Sequence, residues 1–403
     1  MARKVNILFL TQHFPPEPTG GAIHTYDMTK YLSDYDISID VITTLPAYPY
    51  GSFLDISKVP IDLIIEERQN VNIKRIWTYR PKGSSPTSIQ RIIQYITFAL
   101  NALFHTLLKK RYDVIITSQP PEFVLFTGLV LKKVKGSLWV ADVRDLWFEA
   151  AVALGYVKER SISYIAFDFF RRNALQHVDI LAYTSTEIKS HLVHKYNLQC
   201  KTISNPNGID PAEFLHSTDI GNNLIYIGNL GYQYHFDNFI EALALVDEDI
   251  ELTILGGGDQ RSYLQKKVEQ FKIQNRVHFI DSLPHRRVLE MICAARIGIC
   301  PLRLDSSLRS VLPIKVLEYM GCGKPFIATG IGEIESLVRE SNAGVLVDNN
   351  PKAIAEAIER MYSDTGTHQK MSANGLKFVN SNFNKISIID NLLEEILKEY
   401  DNV

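Results

Sequence analysis

Short apolar runs alternate with longer helical patterns along the whole chain. Most of the short runs are continuous rather than alternating, which is typical of parallel strands covered on both faces. Strand–helix alternation in both halves therefore predicts two doubly wound α/β domains. Twelve runs are predicted as strands: Val5–Leu10, Ile37–Thr43, Val71–Trp77, Asp113–Thr117, Ser137–Asp142, Asp179–Thr184, Leu224–Gly228, Ile250–Leu255, Arg276–Ile280, Arg296–Cys300, Pro325–Ala328 and Gly344–Val347.

The segment Asn205–Pro211 reads N-P-N-G-I-D-P and interrupts this alternation. Its prolines, glycine and asparagines favour a turn over a helix or strand. We therefore expect one domain over 1–205 and a second over 206–385. The last segment, 386–400, has the pattern of an amphipathic helix and is expected to join the first domain.

Composition narrows the class of protein. The 403 residues are 46% hydrophobic and 22% charged with a net charge of −2, which excludes a nucleic-acid binder dominated by electrostatics. The four cysteines form no C-x-x-C pair, so free thiols in a reducing cytoplasm are expected rather than disulfides or a metal site. Val5–Leu10 is too short for a signal-peptide core, and no apolar run is long enough to span a membrane.

The stretch Leu312–Ala328 is the most informative motif. Pro313 is expected to begin a helix that ends at the glycines 321 and 323. Free N–H groups in the first turn, the helix dipole and Lys315 would together attract a phosphate. Glu318, one turn later, could accept hydrogen bonds from sugar hydroxyls. Diphosphate plus ribose is half of a nucleotide sugar.

Further candidates follow predicted strands. After the first strand, Gly20 and Gly21 open a helix predicted over 22–33, flanked by His13 and His24; the alternative is a tight turn without a ligand. Asp142, Arg144, Asp145 and Glu149 follow the fifth strand, where they form either a binding cluster or a salt-bridged loop. In the second half the glycine-rich strand ends are 227–231 and 256–259, and Arg303 and Arg309 are either phosphate-neutralising or ordinary surface residues.

The segment 89–111 is amphipathic with a basic end. Its polar positions are 90, 94, 97, 101 and 105, and its apolar positions are 92, 93, 96, 100, 103, 104 and 107. Two interpretations stay open: the apolar face packs on the first sheet, or it contacts a membrane surface.

Taken together and in order, five motifs resemble retaining glycosyltransferases of the GT-B fold in family four, especially bacterial surface-polysaccharide enzymes of the N-acetyl-L-fucosamine transferase type. The motifs are F-P-P-E-P-T-G-G at 14–21, D-V-R-D-L-W-F-E at 142–149, N-P-N-G-I-D-P at 205–211, I-G-N-L-G at 227–231 and P-I-K-V-L-E-Y-M-G-C-G-K-P at 313–325. The resemblance implies two Rossmann-like domains facing a cleft. It also implies transfer from a nucleotide sugar, most simply UDP-linked, to a polyprenyl-diphosphate-linked or glycan acceptor. No cofactor and no metal are expected, and the location would be cytoplasmic or peripheral on the membrane's inner face.

The residues assigned by this reading fall into three groups. The expected catalytic residues are Gly21, Arg144, Asp145 and Lys315. The expected donor-binding residues are Gly20, Gly21, Gly228, Asn229, Gly257, Arg303, Ser310, Val311, Leu312, Lys315 and Glu318. The expected acceptor-binding residues are His13, Glu17, His24 and Glu149.

Three departures from the family pattern accompany the resemblance. The first acid of the family's Glu-x7-Glu motif falls on Ser310, its phosphate-binding arginine on Asn229 and its lysine near Tyr234, while the catalytic-loop histidine falls on Arg144. Two alternatives therefore stay open: an epimerase or phosphorylase of the same fold, and a non-catalytic member that binds a glycan or a partner.

Overall fold

The computed structural model describes residues 4–17, 19–47, 70–81, 86–109, 111–153, 155–214 and 221–402. The chain divides into two compact units. The first comprises Met1–Pro206 with Ile386–Val403, and the second comprises Asn207–Lys385. This division lies one residue from the boundary expected at the proline-rich turn.

In the first unit the described strands form one seven-stranded parallel sheet, ordered β3-β2-β1-β4-β5-β6-β7. These strands are β1 Val5–Leu10, β2 Ile37–Thr44, β3 Val71–Ile76, β4 Val114–Gln119, β5 Leu138–Val143, β6 Ile180–Tyr183 and β7 Lys201–Ser204. The helices are α1 Gly20–Leu32, α2 Ser88–Leu107, α3 Val124–Lys135, α4 Trp147–Ala153, α5 Ile162–Leu175 and α6 Thr186–Tyr196, joined by the last helix of the chain, Lys385–Asp401.

In the second unit the described strands form a six-stranded parallel sheet, ordered β10-β9-β8-β11-β12-β13. These strands are β8 Asn223–Ile227, β9 Glu251–Leu255, β10 Val277–Ile280, β11 Ile297–Pro301, β12 Phe326–Thr329 and β13 Gly344–Leu346. The helices are α7 Asp237–Leu243, α8 Arg261–Gln270, α9 His285–Ala294, α10 Ile314–Gly321, α11 Glu333–Ser341, α12 Pro351–Ser363 and α13 Thr365–Asn382; the chain's last helix is α14.

Alternation along the strands builds a core on each face of the first sheet. Leu8 and Leu10 point into the core shared with α2, α3, α5 and α6, whereas Ile7 and Phe9 point into the core shared with α1 and α14. Buried residues of α14, namely Ile389, Leu392, Leu393 and Ile396, belong to the second of these cores. The apolar side of the C-terminal helix therefore covers the first sheet.

Each sheet has one point where the strand order reverses. In the first sheet β1 lies between β2 and β4, and in the second β8 lies between β9 and β11. Ligands of open α/β sheets bind beyond the carboxyl ends of the strands at such points. The loops after β1 and β8 are therefore the first places to look for a site.

The sequence prediction of two doubly wound domains is confirmed. All twelve predicted strands are present, with ends that differ by at most two residues. β7, at the sheet's edge and only four residues long, was missed. The first helix begins at Gly20 instead of Ala22, because the side chain of Thr19 accepts a hydrogen bond from the Ala22 amide and caps it there.

The orientation of α2 contradicts one of the two interpretations of segment 89–111, that its apolar face packs on the first sheet, and leaves membrane contact as a prediction. Its buried side includes Gln94, Tyr95, Phe98 and Ala102, while Leu100 is 53% exposed. Aromatic and small residues thus fill the core, and most of the aliphatic face points away from it. Among the described residues, no helix is long and apolar enough to cross a membrane.

Candidate functional site

Lys315 occupies the switch point of the second sheet in an unusual environment. Its ammonium lies 3.7 Å from the ring centroids of both Tyr226 and Tyr234, and a Cβ added at Gly228 would lie 3.5 Å from it. The residue is 7% exposed, and the ammonium has no hydrogen-bond partner among the described residues. Burial lowers the pKa of Lys315 from 10.5 to about 7. The sequence analysis expected a fully charged lysine, whereas the structure holds one whose charge is costly until an anion approaches.

Tyr319 fixes the position of this lysine. It lies one turn after Lys315 on α10, and its hydroxyl lies 3.3 Å from the Ile225 carbonyl and 3.2 Å from the Ile299 carbonyl. A Cβ at Gly298 would lie 2.2 Å from the Tyr319 ring, so only glycine allows this approach. α10 is therefore anchored to β8 and β11, and its first turn is held at the carboxyl edge of the sheet.

Two glycine-rich loops pack against each other beside Lys315. The Gly228 amide donates to the Leu255 carbonyl at 2.9 Å, and the Leu230 amide donates to the Gly257 carbonyl at 2.8 Å. Gly256 has a φ of +131°, and a Cβ there would lie 2.1 Å from the Gly228 carbonyl oxygen. A Cβ at Gly257 would meet nothing within 4 Å. Gly256 therefore serves loop packing, while Gly257 borders open space.

Glu318 lies on the same helix, and its side chain is 15% exposed. It accepts a hydrogen bond from His285 Nε2 at 2.9 Å, an interaction that raises the pKa of His285. Sequence reasoning missed His285, because a lone histidine at the start of α9 gives no signal. The structure thus adds a titratable partner to the carboxylate expected to hold a ribose.

The other candidate residues of the second unit differ in how exposed they are and in the contacts they make. Arg303 stacks on the Tyr232 ring, 4.5 Å from its centroid, and donates to that residue's carbonyl. Asn229 and Arg309 are exposed, and Ser310, Val311 and Leu312 are half-buried before α10. Pro313, which precedes that helix, provides no side-chain cap. The first-turn amides thus remain suited to an anion.

In the first unit, a buried polar cluster centres on Asp142 at the end of β5. Its carboxylate accepts hydrogen bonds from Ser118 Oγ at 2.8 Å and Asn205 Nδ2 at 2.9 Å, and Arg144 Nη1 lies 3.5 Å away. Burial alone would raise the pKa of Asp142, but Arg144, His24 and the hydrogen bond from Ser118 lower it to about 2. His24 Nε2 lies 3.6 Å from the same carboxylate. Burial lowers the pKa of His24 to about 4, so the expected acceptor ligand is a neutral interior group.

Both carboxylates expected to bind the acceptor, Glu17 and Glu149, have partners within the first unit. Glu17 accepts from His13 Nδ1 at 2.7 Å and from the Ala47 amide at 2.8 Å. Glu149 contacts Arg171 at 2.7 Å, His191 at 2.8 Å and Lys195 at 3.2 Å. The first of these carboxylates holds the loop after β1, and the second joins α4 to α5 and α6. Both serve the fold as described, and acceptor binding by them stays a prediction.

The remaining first-unit candidates lie where a ligand could reach them. Gly20 and Gly21 form the first turn of α1, and a Cβ at Gly21 would meet nothing within 4 Å. Asp145 is exposed after β5, and His13 is partly exposed after β1. Because β1 and β5 flank β4 in the sheet, these residues share one sheet edge. The structure thus gathers the predicted residues into one set per unit.

One comparison with known proteins concerns the candidate residues of the second unit. Residues 215–378 match the family model "Glycosyl transferases group 1". The matched range lies within the second unit and covers most of it. The matched range contains the glycine loops, Lys315, Glu318 and His285, so the candidate residues of the second unit described above lie inside it.

Full-length similarities extend over both units. An uncharacterized glycosyltransferase of Methanocaldococcus jannaschii is 23% identical, and the match covers 98% of each chain. The structure of a sucrose-phosphate synthase from Thermosynechococcus elongatus is similar with a TM-score of 0.77 at 18% identity, covering 99% of this chain and 100% of that one. The HepE protein of Anabaena in complex with UDP gives a TM-score of 0.72 at 16% identity, covering 98% and 100%. The expected GT-B fold is thereby confirmed.

Proposed function

We propose that this protein is a retaining glycosyltransferase that transfers a sugar from a UDP-sugar to a polyprenyl-diphosphate-linked sugar or glycan. Its role would be surface-polysaccharide or glycoconjugate synthesis, as in the N-acetyl-L-fucosamine transferase type. The match to the group 1 family model supports sugar transfer, and a similar fold in the Anabaena protein is occupied by UDP. A lipid-linked acceptor would place the enzyme in the cytoplasm at the inner face of a membrane.

The buried ammonium of Lys315 is the observation that carries this proposal. Leaving the lysine without a hydrogen-bonding partner is costly in the free protein, and a diphosphate at the first turn of α10 would remove that cost. Negative charge on the diphosphate grows as the glycosidic bond breaks. A cation held by Tyr226 and Tyr234 would therefore stabilise the transition state more than the ground state.

The neighbouring groups have defined parts in this proposal. Glu318 accepts hydrogen bonds from the ribose hydroxyls, and the open space at Gly257 admits the donor close to the backbone. The amides of Leu312 and Ile314 bind phosphate oxygens, since Pro313 between them has no N–H and the Val311 amide already donates to the Leu308 carbonyl. In the proposed front-face reaction the leaving phosphate takes the acceptor proton, so no metal and no protein base is required for that step.

A nucleotide panel tests donor binding first. We expect UDP and UDP-sugars to raise the Tm of the purified protein more than GDP, ADP or their sugars do. Transfer from the selected donor to a polyprenyl-diphosphate sugar should then give a product with the donor's anomeric configuration. A protein that binds none of the nucleotides, or a product with inverted configuration, would refute the corresponding part of the proposal.

Tyr234, near which the family's lysine falls, favours testing a second candidate, a binding protein without transferase activity. In the structure this tyrosine contacts Lys315 and adds no cation. Incubation with the nucleotide sugar alone separates the remaining reactions. An epimerase would convert the donor without acceptor, a phosphorylase would need phosphate, and a binding protein would return the donor unchanged even with acceptor present.

A further inference from the structure

The helical layer on one face of the first sheet exposes a band of large apolar side chains. α2 carries them at intervals of three or four residues, which places them on one stripe. The stripe residues of α2 and the residue after it are Ile89, Ile93, Ile96, Leu100, Phe104 and Leu108, exposed by 37–75%. Ile89 and Leu108 are the most exposed at 70% and 75%, respectively.

Trp77 extends this stripe sideways. Its carbonyl accepts a hydrogen bond from Asn101 of α2 at 2.9 Å, and the residue is 65% exposed. α3 lies directly beside α2, since Thr127 Oγ1 donates to the Ala99 carbonyl at 2.8 Å. α3 adds Phe126, which is 38% exposed.

α5 continues the band on the other side of α3. The rings of Phe126 and Phe170 are 6.5 Å apart, which joins the two helices. α5 exposes Ile162 by 87%, Ile165 by 57% and Phe169 by 69%. α2, α3 and α5 all bury their opposite sides in the same core, so their exposed stripes point away from the same face of the sheet. Exposed apolar surface on three adjacent helices far exceeds scattered single residues.

The excess of positive charge around the apolar band indicates which kind of partner it would bind. Residues 68–141 contain twelve lysines and arginines and only two carboxylates, Asp113 and Glu122, although the whole chain has a net charge of −2. Both carboxylates are buried. Lys109 and Lys132 are paired with Asp40 and Asp179, whereas Arg91, Arg111 and Lys133 are exposed. An apolar band with a surplus of positive charge complements an anionic bilayer, whose surface attracts basic segments while its interior accepts apolar side chains.

We propose that this band, formed by Trp77, the α2 stripe, Phe126 and the exposed residues of α5, docks on an anionic lipid bilayer. It extends the 89–111 segment of the sequence analysis to three helices. The inference deepens the proposed function, because a lipid-linked acceptor would be met at that surface. Lipid binding needs neither donor nor acceptor, so it is measured separately from sugar transfer.

Vesicle co-sedimentation of the full chain tests the proposal. The vesicles are phosphatidylcholine alone or an equimolar mixture with phosphatidylglycerol, both free of acceptor. We expect at least about tenfold stronger binding to the anionic vesicles, decreasing as salt rises from ~0.1 M to ~1 M and the Debye length falls from ~10 Å to ~3 Å.

Two matched variants test whether vesicle binding depends on the band or on exposed apolar side chains in general. Leu100→Glu should weaken binding about tenfold or more, since it places a carboxylate on the docking stripe. Leu245→Glu is its control, because Leu245 of the second unit is 57% exposed, close to the 53% of Leu100. This control should bind vesicles like the wild type, and UDP should shift the Tm of all three proteins equally.

Two outcomes would overturn the proposal. One is wild-type binding to anionic vesicles that does not exceed binding to phosphatidylcholine, or that Leu100→Glu leaves unchanged. The other is found by sedimentation velocity: if the wild type is a dimer that Leu100→Glu dissociates and neither protein binds vesicles, a second copy of the chain covers the band. Either result would leave the donor-binding measurements untouched.

Discussion

Replacing Lys315 with methionine tests the central electrostatic argument of the second unit. The substitution keeps an unbranched side chain as far as Cε and removes the ammonium. Lowering the pKa of Lys315 from 10.5 to about 7 by burial corresponds to about 5 kcal/mol lost from the charged form. With a folded pKa of about 7, the net cost of the buried charge at pH 7 is about 4 kcal/mol.

The stability of Lys315→Met should reflect this cost. We expect the free variant to be more stable than the wild type at pH 7, with a Tm of the second unit higher by about 8–16 °C in calorimetry. The unfolded lysine remains protonated up to about 10.5, whereas the folded one loses its proton above pH 7. The wild type therefore gains stability relative to the variant as pH rises between these values, and the difference in Tm should shrink.

Catalysis should change in the opposite direction. Loss of the ammonium should lower kcat by a factor of about 10² to 10³, as for removal of one oxyanion donor. Lys352→Met, at an exposed position of α12, is the control and should alter neither property. A Lys315→Met variant that is no more stable than wild type, with a pH-independent difference and normal transfer, would refute the reasoning.

Three further predictions use the same assays. Glu318→Gln should weaken UDP-sugar binding about tenfold in titration calorimetry through loss of charge-assisted hydrogen bonds, and unchanged affinity would remove its ribose role. Asp142→Asn should destabilise the first unit by about 2 kcal/mol at pH 7, and the difference should vanish as pH falls from 4 to 2, because protonation of Asp142 removes the same interactions from the wild type; denaturant unfolding at several pH values checks this. Gly256→Ala should lower the Tm and UDP affinity together by displacing the Gly228 loop, whereas Gly257→Ala should lower affinity alone; equal Tm losses would contradict this distinction.

The sequence was most informative where buried strands and glycine-rich turns carry local signals. β7 was not predicted because only one of its four residues, Ile203, is apolar, so that Lys201–Ser204 resembles a loop in sequence. The sequence did not decide which side of α2 is buried, for another reason. Thr106 Oγ1 donates to the Ala102 carbonyl at 2.7 Å, which lets a polar residue enter the core while Phe104 stays outside.

The candidate site was predictable as a set of positions but not as an environment. Lys315 and Glu318 stand out in the sequence because Pro313 and the glycines delimit their helix. The aromatic contacts of Lys315 come from Tyr226 on β8 and Tyr234 before α7, which are distant in sequence. Burial, charge cost and the His285 hydrogen bond arise from tertiary packing that no local pattern encodes.

The position of α14 determines when the first unit can complete its core during translation. Its Ile389, Leu392, Leu393 and Ile396 complete a core whose other members include Ile7 and Phe9. Tyr400 also donates to Asp113 at 2.7 Å. During translation, the part of the first sheet that α14 covers stays exposed until residues 385–401 have been synthesised. A nascent chain stalled before residue 386 should therefore be more sensitive to protease in its first unit than the released protein.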